Sequence, residues 1–235
     1  MHRKMVAIFL LAGMFSPAVW AWQNIHPDHR QAWSENIGWT NWRDADDAMA
    51  GVGVGDMFLS GYIWSENAGW INVGDGTPVD GVNYANLDGG DFGINVDPDG
   101  DLHGLAWGEN IGWVNFDGGA MATPSLPARI ECVPGPNGET LSRLTGYAWG
   151  ENVGWLNLND MMHFVSVDAA TTPIECDMDH NSVVNGLDIQ FFVDFMLMNS
   201  APGWRDVCSG DLEMLPDGTL DVDDVTGFVA CLLNA

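Results

Sequence analysis

Apolar positions follow three rhythms along this chain. Met5 to Phe15 is a continuous apolar run. Between residues 33 and 158 they come in short bursts, each bracketed by a tryptophan pair: "WSENIGW" (33–39), "WSENAGW" (64–70), "WGENIGW" (107–113) and "WGENVGW" (149–155). Beyond Cys176 they recur at helical intervals in "LDIQFFVDFML" and "DVTGFVACLL". The pattern predicts β structure in the middle and helices at the end.

The copies start 31, 43 and 42 residues apart. "LSGYIW" (59–64), "LHGLAW" (102–107) and "LTGYAW" (144–149) carry the likeness upstream, whereas the first copy lacks the Leu and Gly, as a terminal unit would. "DPDGD" (97–101) and "GPNGE" (135–139) place Pro and Gly where a tight turn needs them. Each unit therefore reads as a strand ending in Trp, a turn over "ENxG" and a strand beginning with Trp. A three-residue loop with Gly at its bulge puts both tryptophans on one face, and a four-residue loop puts them on opposite faces. A lone hairpin is marginal in water, so the units must pack together. Residues 22–175 are expected to form an all-β, Trp-rich tandem-repeat domain of stacked hairpins, propeller-like or sandwich in form.

The Met5–Phe15 run follows Arg3 and Lys4 and precedes Val19-Trp20-Ala21, which reads as a secretory signal peptide over 1–21. The run is short for a bilayer, and no later segment approaches the roughly 20 residues a span requires. A secreted or cell-surface protein follows. Charge narrows the partners: 7 Lys and Arg stand against 33 Asp and Glu, a net charge of −26. Like charge repels nucleic acid and anionic lipid, whereas divalent cations are attracted. The four cysteines, Cys132, Cys176, Cys208 and Cys231, suit two disulfides in an exported chain. No CxxC pair suggests zinc. Cys208–Cys231 would flank one C-terminal loop-helix unit, and Cys132–Cys176 would join two similar "IEC" stretches.

Tryptophan beside Asn and Glu is also how proteins stack sugars. Uniformity across four copies favours packing instead, because exposed tryptophans would form a large apolar patch. Glu35, Glu66, Glu109 and Glu151 could pair as glycosidase acid and nucleophile. Identical glutamates in tandem units lack the distinct environments that acid and base need, so no catalytic residues are assigned. The motif resembles the "GENxGWINF"-type repeats of exported bacterial proteins over most of 33–158, and that resemblance implies no activity.

The C-terminal stretch carries the strongest chemistry. "DMDHNSVVNGLD" (177–188) sets Asp177, Asp179, Asn181, Asn185 and Asp188 at positions one, three, five, nine and twelve of a calcium loop, with the Val183 carbonyl at seven. Ser182 stands where such loops usually have Gly, and Asp188 where they have Glu. "DLEMLPDGTLDVDDV" (211–225) repeats the spacing at Asp217, Thr219, Asp221 and Asp224, with Asp211 and Glu213 in register across a two-residue insertion. Two loop-helix units about 34 residues apart resemble a type I dockerin, an EF-hand-like pair, over 176–235. That resemblance implies a small calcium-stabilised helical module docking on a cohesin-like scaffold or cell-surface protein. The positions such modules use to read partners are here Gly186-Leu187 and Val222-Asp223.

His26, His29, His103, His163 and His180 are scattered and form no nucleophile pair. The expected function is non-catalytic display of a β domain through a Ca²⁺-dependent docking module. A glycan-binding accessory of a polysaccharide-degrading system and an unrecognised glycoside hydrolase are the alternatives.

Overall fold

The computed structural model describes residues 23–44, 50–134, 140–168, 173–197, 202–212 and 219–234. The expected signal segment 1–21 and the "GPNGE" turn lie outside them. In chain order the strands are β1 (Ile25–Ser34), β2 (Gly38–Asn41), β3 (Gly53–Val54), β4 (Leu59–Ser65), β5 (Gly69–Gly74), β6 (Ile94–Val96) and β7 (Leu102–Gly108). They continue with β8 (Gly112–Asn115), β9 (Arg129–Pro134), β10 (Thr140–Thr145), β11 (Tyr147–Gly150), β12 (Gly154–Asn157) and β13 (Val165–Val167). Three α-helices follow among the described residues: α1 (Asp188–Met196), α2 (Trp204–Gly210) and α3 (Val225–Asn234). No helix among the described residues is long and apolar enough to cross a membrane.

Each "ENxG" stretch turns a hairpin: β1–β2, β4–β5, β7–β8 and β11–β12. The loop is three residues long, since Ser34 faces Gly38, Ser65 faces Gly69, Gly108 faces Gly112 and Gly150 faces Gly154. The closing glycines sit at φ 69° to 79°, the left-handed bulge that side chains with a Cβ resist. The tryptophans of each pair then stand directly opposite one another.

The hairpins close on themselves. Strands run β1-β2-β4-β5-β7-β8-β11-β12, and β12 returns to β1 through Trp33↔Asn157 and Ser34↔Leu156. The register repeats at every junction: Asn41 faces Trp64, Asn72 faces Trp107 and Asn115 faces Trp149. The result is an eight-stranded closed barrel with extra strands, mostly β as expected, but neither a set of propeller blades nor two facing sheets. Closure pairs every hairpin edge, which a stack would leave bare. An eight-stranded barrel is also just wide enough for side chains to fill.

Filling follows from the alternation. Ala32, Ile63, Ala106 and Ala148 point inward opposite Thr40, Ile71, Val114 and Leu156, all buried. Ser34, Ser65, Gly108 and Gly150 occupy the end nearest the turns, and the apolar "x" of each turn (Ile37, Ala68, Ile111, Val153) is buried there and plugs it. Trp42 and Phe116 lie wholly buried beyond the opposite end, ring centroids 6.3 Å apart.

The first strand of three hairpins outruns the barrel and takes on a connecting strand: β3 on β4, β6 on β7, and β13, with β10 and β9 behind it, on β1. On β4 and β7 the repeated glycine three residues before Trp admits the added strand, and ahead of β11 the same glycine admits the segment around Pro127; β1 takes its added strand without it. Gly61, Gly104 and Gly146 have φ of 93°, 103° and 80°. A Cβ there would meet the carbonyl oxygens of Gly51, Gly93 and Pro127 at 2.3, 2.4 and 1.9 Å. Tyr84 wedges beneath the second hairpin, accepting from Gly76 N at 2.7 Å and donating to the Leu59 carbonyl at 3.4 Å; burial pushes its phenol up to about 12.

The apolar core separates into two clusters. One unites the barrel and its extra strands and takes in Trp204 and Cys208 of α2. The other is small, built on Cys176, Met178, Phe192 and Phe228. Phe192 of α1 and Phe228 of α3 stack there with centroids 4.0 Å apart.

The disulfides follow this division and correct the pairing expected from the chain. Cys132 bonds Cys208 and Cys176 bonds Cys231, with Cα atoms 5.5 and 6.3 Å apart. Trp204 anchors α2 in the first cluster, beside the β6–β7 turn and β9, which carries Cys208 onto β9. Cys176 and Cys231 remain to flank the small cluster. Arg205 reinforces the anchor by pairing with Asp56 of the barrel.

Candidate metal centre and outer aromatic face

Residues 177–188 coil tightly ahead of α1. Asp177, Asp179 and Asp188 each bring a carboxylate oxygen within 4.8 Å of the other two. Asp177 and Asp188 are buried at 2% and 0% exposure, and Asp179 is half-buried. A calcium ion holds its oxygen ligands at about 2.3–2.6 Å, so two oxygens of one shell lie at most about 5 Å apart. Hard oxygen donors at this separation fit Ca²⁺.

Asp188 is the frame of the loop. Its Oδ1 accepts from Met178 N at 2.8 Å and Asp179 N at 3.2 Å, and its Oδ2 from Asn185 N at 2.8 Å. Asp177 accepts from Asn181 N at 3.1 Å and Ser182 N at 2.7 Å. Asn181 donates its side-chain amide to Asp179 at 2.7 Å, and Asn185 donates its own to the Val183 carbonyl at 2.9 Å. All six predicted ligand positions of this loop therefore lie in one hydrogen-bonded coil. Ser182, in the glycine position, takes φ 67°, the left-handed conformation that explains the usual Gly. His180 reaches out of the loop to Asp206 of α2 at 2.9 Å; that hydrogen bond raises its pKa against the opposing effect of burial.

The second loop repeats the frame where it is described. Asp224, 1% exposed, accepts from Leu212 N at 2.7 Å through Oδ1 and from Asp221 N at 2.8 Å through Oδ2. Asp221 accepts from Asp223 N at 2.8 Å, as Asn185 does from Leu187 N. Leu212 thus occupies the place of Met178, which sets Asp211 in the place of Asp177 and matches the two-residue insertion. Thr219 is exposed. Glu213 and Asp217 lie outside the described residues.

Helices α1 and α3 are matched as well. With Phe192 and Phe228 inward, Ile189, Val193 and Leu197 line the exposed side of α1, and Val225, Val229 and Leu233 take the equivalent places on α3. Spacings of four residues put each trio on one helical stripe. Leu187 and Val222 extend this apolar surface at the loop ends.

On the barrel, the expectation that the paired tryptophans are packing residues is overturned. They point outward, because the barrel interior at their level is filled by alanines, β-branched residues and the turn plugs. Trp33, Trp39, Trp70, Trp113 and Trp149 keep 38–44% of their surface exposed. Within a hairpin the two indoles meet edge to face, with centroids 4.6–5.0 Å apart at 33/39, 64/70 and 107/113. The turn asparagines are structural: Asn67, Asn110 and Asn152 donate to the carbonyls of Ile37, Ala68 and Ile111 in the preceding turn at 3.0–3.1 Å. An apolar "x" in all four turns, beside two polar neighbours, is the sequence signal for this end plug.

A group unassigned from the sequence sits on the β6–β7 turn. His103 contacts Asp117 at 2.7 Å and Asp97 at 3.2 Å, with Asp101 close by. Burial pulls His103 down, but these two hydrogen-bonded carboxylates outweigh it and raise its pKa. No protein-family model, curated protein or solved structure matches this chain.

Proposed function

We propose that this chain is a non-catalytic, calcium-binding protein of the cell exterior, which displays its barrel by docking a dockerin-type C-terminal module onto a cohesin-like scaffold or surface protein. The matched hydrogen-bond frame of two acidic loops carries the reading. Asp188 and Asp224 each tie the start of a loop to its end, and each loop leads into a helix with an inward Phe. Ordinary acidic turns have no reason to share such a frame across an insertion. Calcium would be held at Asp177, Asp179, Asn181, Val183, Asn185 and Asp188, and at the second loop through Asp211, Glu213, Asp217, Thr219, Asp221 and Asp224.

Docking is supported by the paired apolar stripes on α1 and α3. Apolar side chains held in the open at equivalent places on two helices suit burial against a protein partner. Leu187 and Val222 make the recognition apolar rather than hydroxyl-based. Because Trp204 and the Cys132–Cys208 bond join the module to the barrel, a docked module would carry the barrel at a set angle.

Calorimetric titration of the full chain in chelator-treated buffer tests the calcium reading, with saturable Ca²⁺ binding expected. Capture on an immobilised cohesin, in calcium but not in EDTA, tests the partner. No calcium heat, or capture indifferent to EDTA, overturns the proposal.

A further inference from the structure

The outward tryptophans build clefts, and the clefts repeat. Between the second and third hairpins lies a cleft of about 670 Å³ bordered by Trp64, Trp70 and Trp107 with Asn72, Glu109 and Asn110. Between the first and second lies one of about 380 Å³, bordered at the equivalent positions, including Trp33, Trp39 and Glu66. The equivalence follows from the register: each Asn after the second Trp faces the first Trp of the next hairpin. Elsewhere the pattern is modified. Phe92 packs on Trp113 at 5.1 Å, and Glu35 turns to accept from Trp155 N at 3.2 Å.

We propose that these two clefts bind a neutral, β-linked polysaccharide, each stacking a pyranose ring on its indoles. Both volumes fall in the usual range for small-ligand sites, roughly 300–1,000 Å³. Equatorial hydroxyls leave a sugar ring with flat C–H faces, which an indole covers while its neighbours take the hydroxyls. Glu109 and Glu66 are exposed carboxylates that accept such hydroxyls, and Asn72 and Asn41 carry amide groups beside the rings. Among the described residues no Lys or Arg borders either cleft, and the chain carries −26, so anionic glycans are repelled. Adjacent clefts share Trp64, so the spacing of the barrel offers a repeating site to a repeating ligand. This inference is independent of calcium and of docking.

The test is titration of the full chain with cellohexaose, xylohexaose and mannohexaose, followed by calorimetry and tryptophan fluorescence, in EDTA so that the calcium loops play no part. At least one should bind and shift the emission. Trp70→Ala should weaken binding at least tenfold and Trp64→Ala should remove it, while Trp149→Ala, on the fourth hairpin and bordering neither cleft, should leave it unchanged. Glu109→Ala, an exposed carboxylate, gives a second reading free of any effect on the aromatic pairs, with a several-fold loss expected. The proposal is overturned if none of the three hexaoses binds, or if Trp70→Ala and Glu109→Ala bind as the parent does. Tighter binding of oligogalacturonate, choline or a proline-rich peptide than of any neutral hexaose overturns it too.

Discussion

Asp179→Asn separates the metal from the scaffold around it. Asp188 cannot serve, because its carboxylate accepts three backbone N–H groups and its loss would unfold the loop regardless of calcium. Among the described residues the Asp179 carboxylate accepts from Asn181 alone, and an asparagine keeps the contact to Asn181 N. Without calcium, three carboxylates converge within 4.8 Å, and a unit pair at that separation repels by about 3.5 kcal/mol at an effective dielectric of about 20. Solvent at half-buried Asp179 screens this to about 1 kcal/mol, so the calcium-free variant should be as stable as the parent or slightly more so. With calcium at a hundredfold excess over Kd, ligand binding adds about 2.7 kcal/mol. At roughly 2–4 °C per kcal/mol for a chain of this size, the parent should melt about 5–11 °C higher than in EDTA. A tenfold loss of affinity in the variant cuts the gain to about 1.4 kcal/mol and the shift to about half. Differential scanning calorimetry of both proteins, with and without calcium, reads all four values. A parent shift under about 1 °C, or equal shifts in parent and variant, refutes the ligand role of Asp179.

Three further outcomes are expected. His103 should titrate above the ordinary histidine value of about 6.5, followed by its ring proton resonances, and a value at or below that refutes the Asp97–His103–Asp117 arrangement. Because its pKa is raised on folding, the stability it contributes is complete at low pH and is lost as pH rises through the folded value; His103→Gln should remove that slope. Tyr84→Phe strips the partner from Gly76 N and the Leu59 carbonyl and should cost about 1–3 kcal/mol in urea unfolding; a change below about 0.5 kcal/mol would show the hydroxyl to be idle. Asn67→Ala, Asn110→Ala and Asn152→Ala each remove one clamp between turns and should each cost about 1 kcal/mol, equal within about 0.5; three neutral variants would refute the clamp.

Local chemistry in the sequence carried a good deal of this protein. The four hairpins were legible because "ENxG" needs a left-handed glycine at one place, and Gly38, Gly69, Gly112 and Gly154 take it. The acidic coil was legible because its donors, Asp177 to Asp188, lie within twelve consecutive residues. Both are short-range constraints, in which spacing along the chain nearly equals spacing in space. The direction of the tryptophans was not legible in this way. Whether a residue faces in or out depends on which of two sheet faces is enclosed, and only closure of β12 onto β1 decides that. The disulfides failed for the same reason. Cys132 and Cys208 are 76 residues apart, and nothing local to either announces that Trp204 will be drawn into the large apolar cluster beside β9 and bring them together. What the sequence determined by itself was the position of the turns, strand and helix periods and the donor spacing of the loops, all set by contacts within a few residues. The tertiary structure alone decided barrel closure, the outward tryptophan clefts and the anchoring of α2, because each depends on surfaces that exist only once distant segments have met.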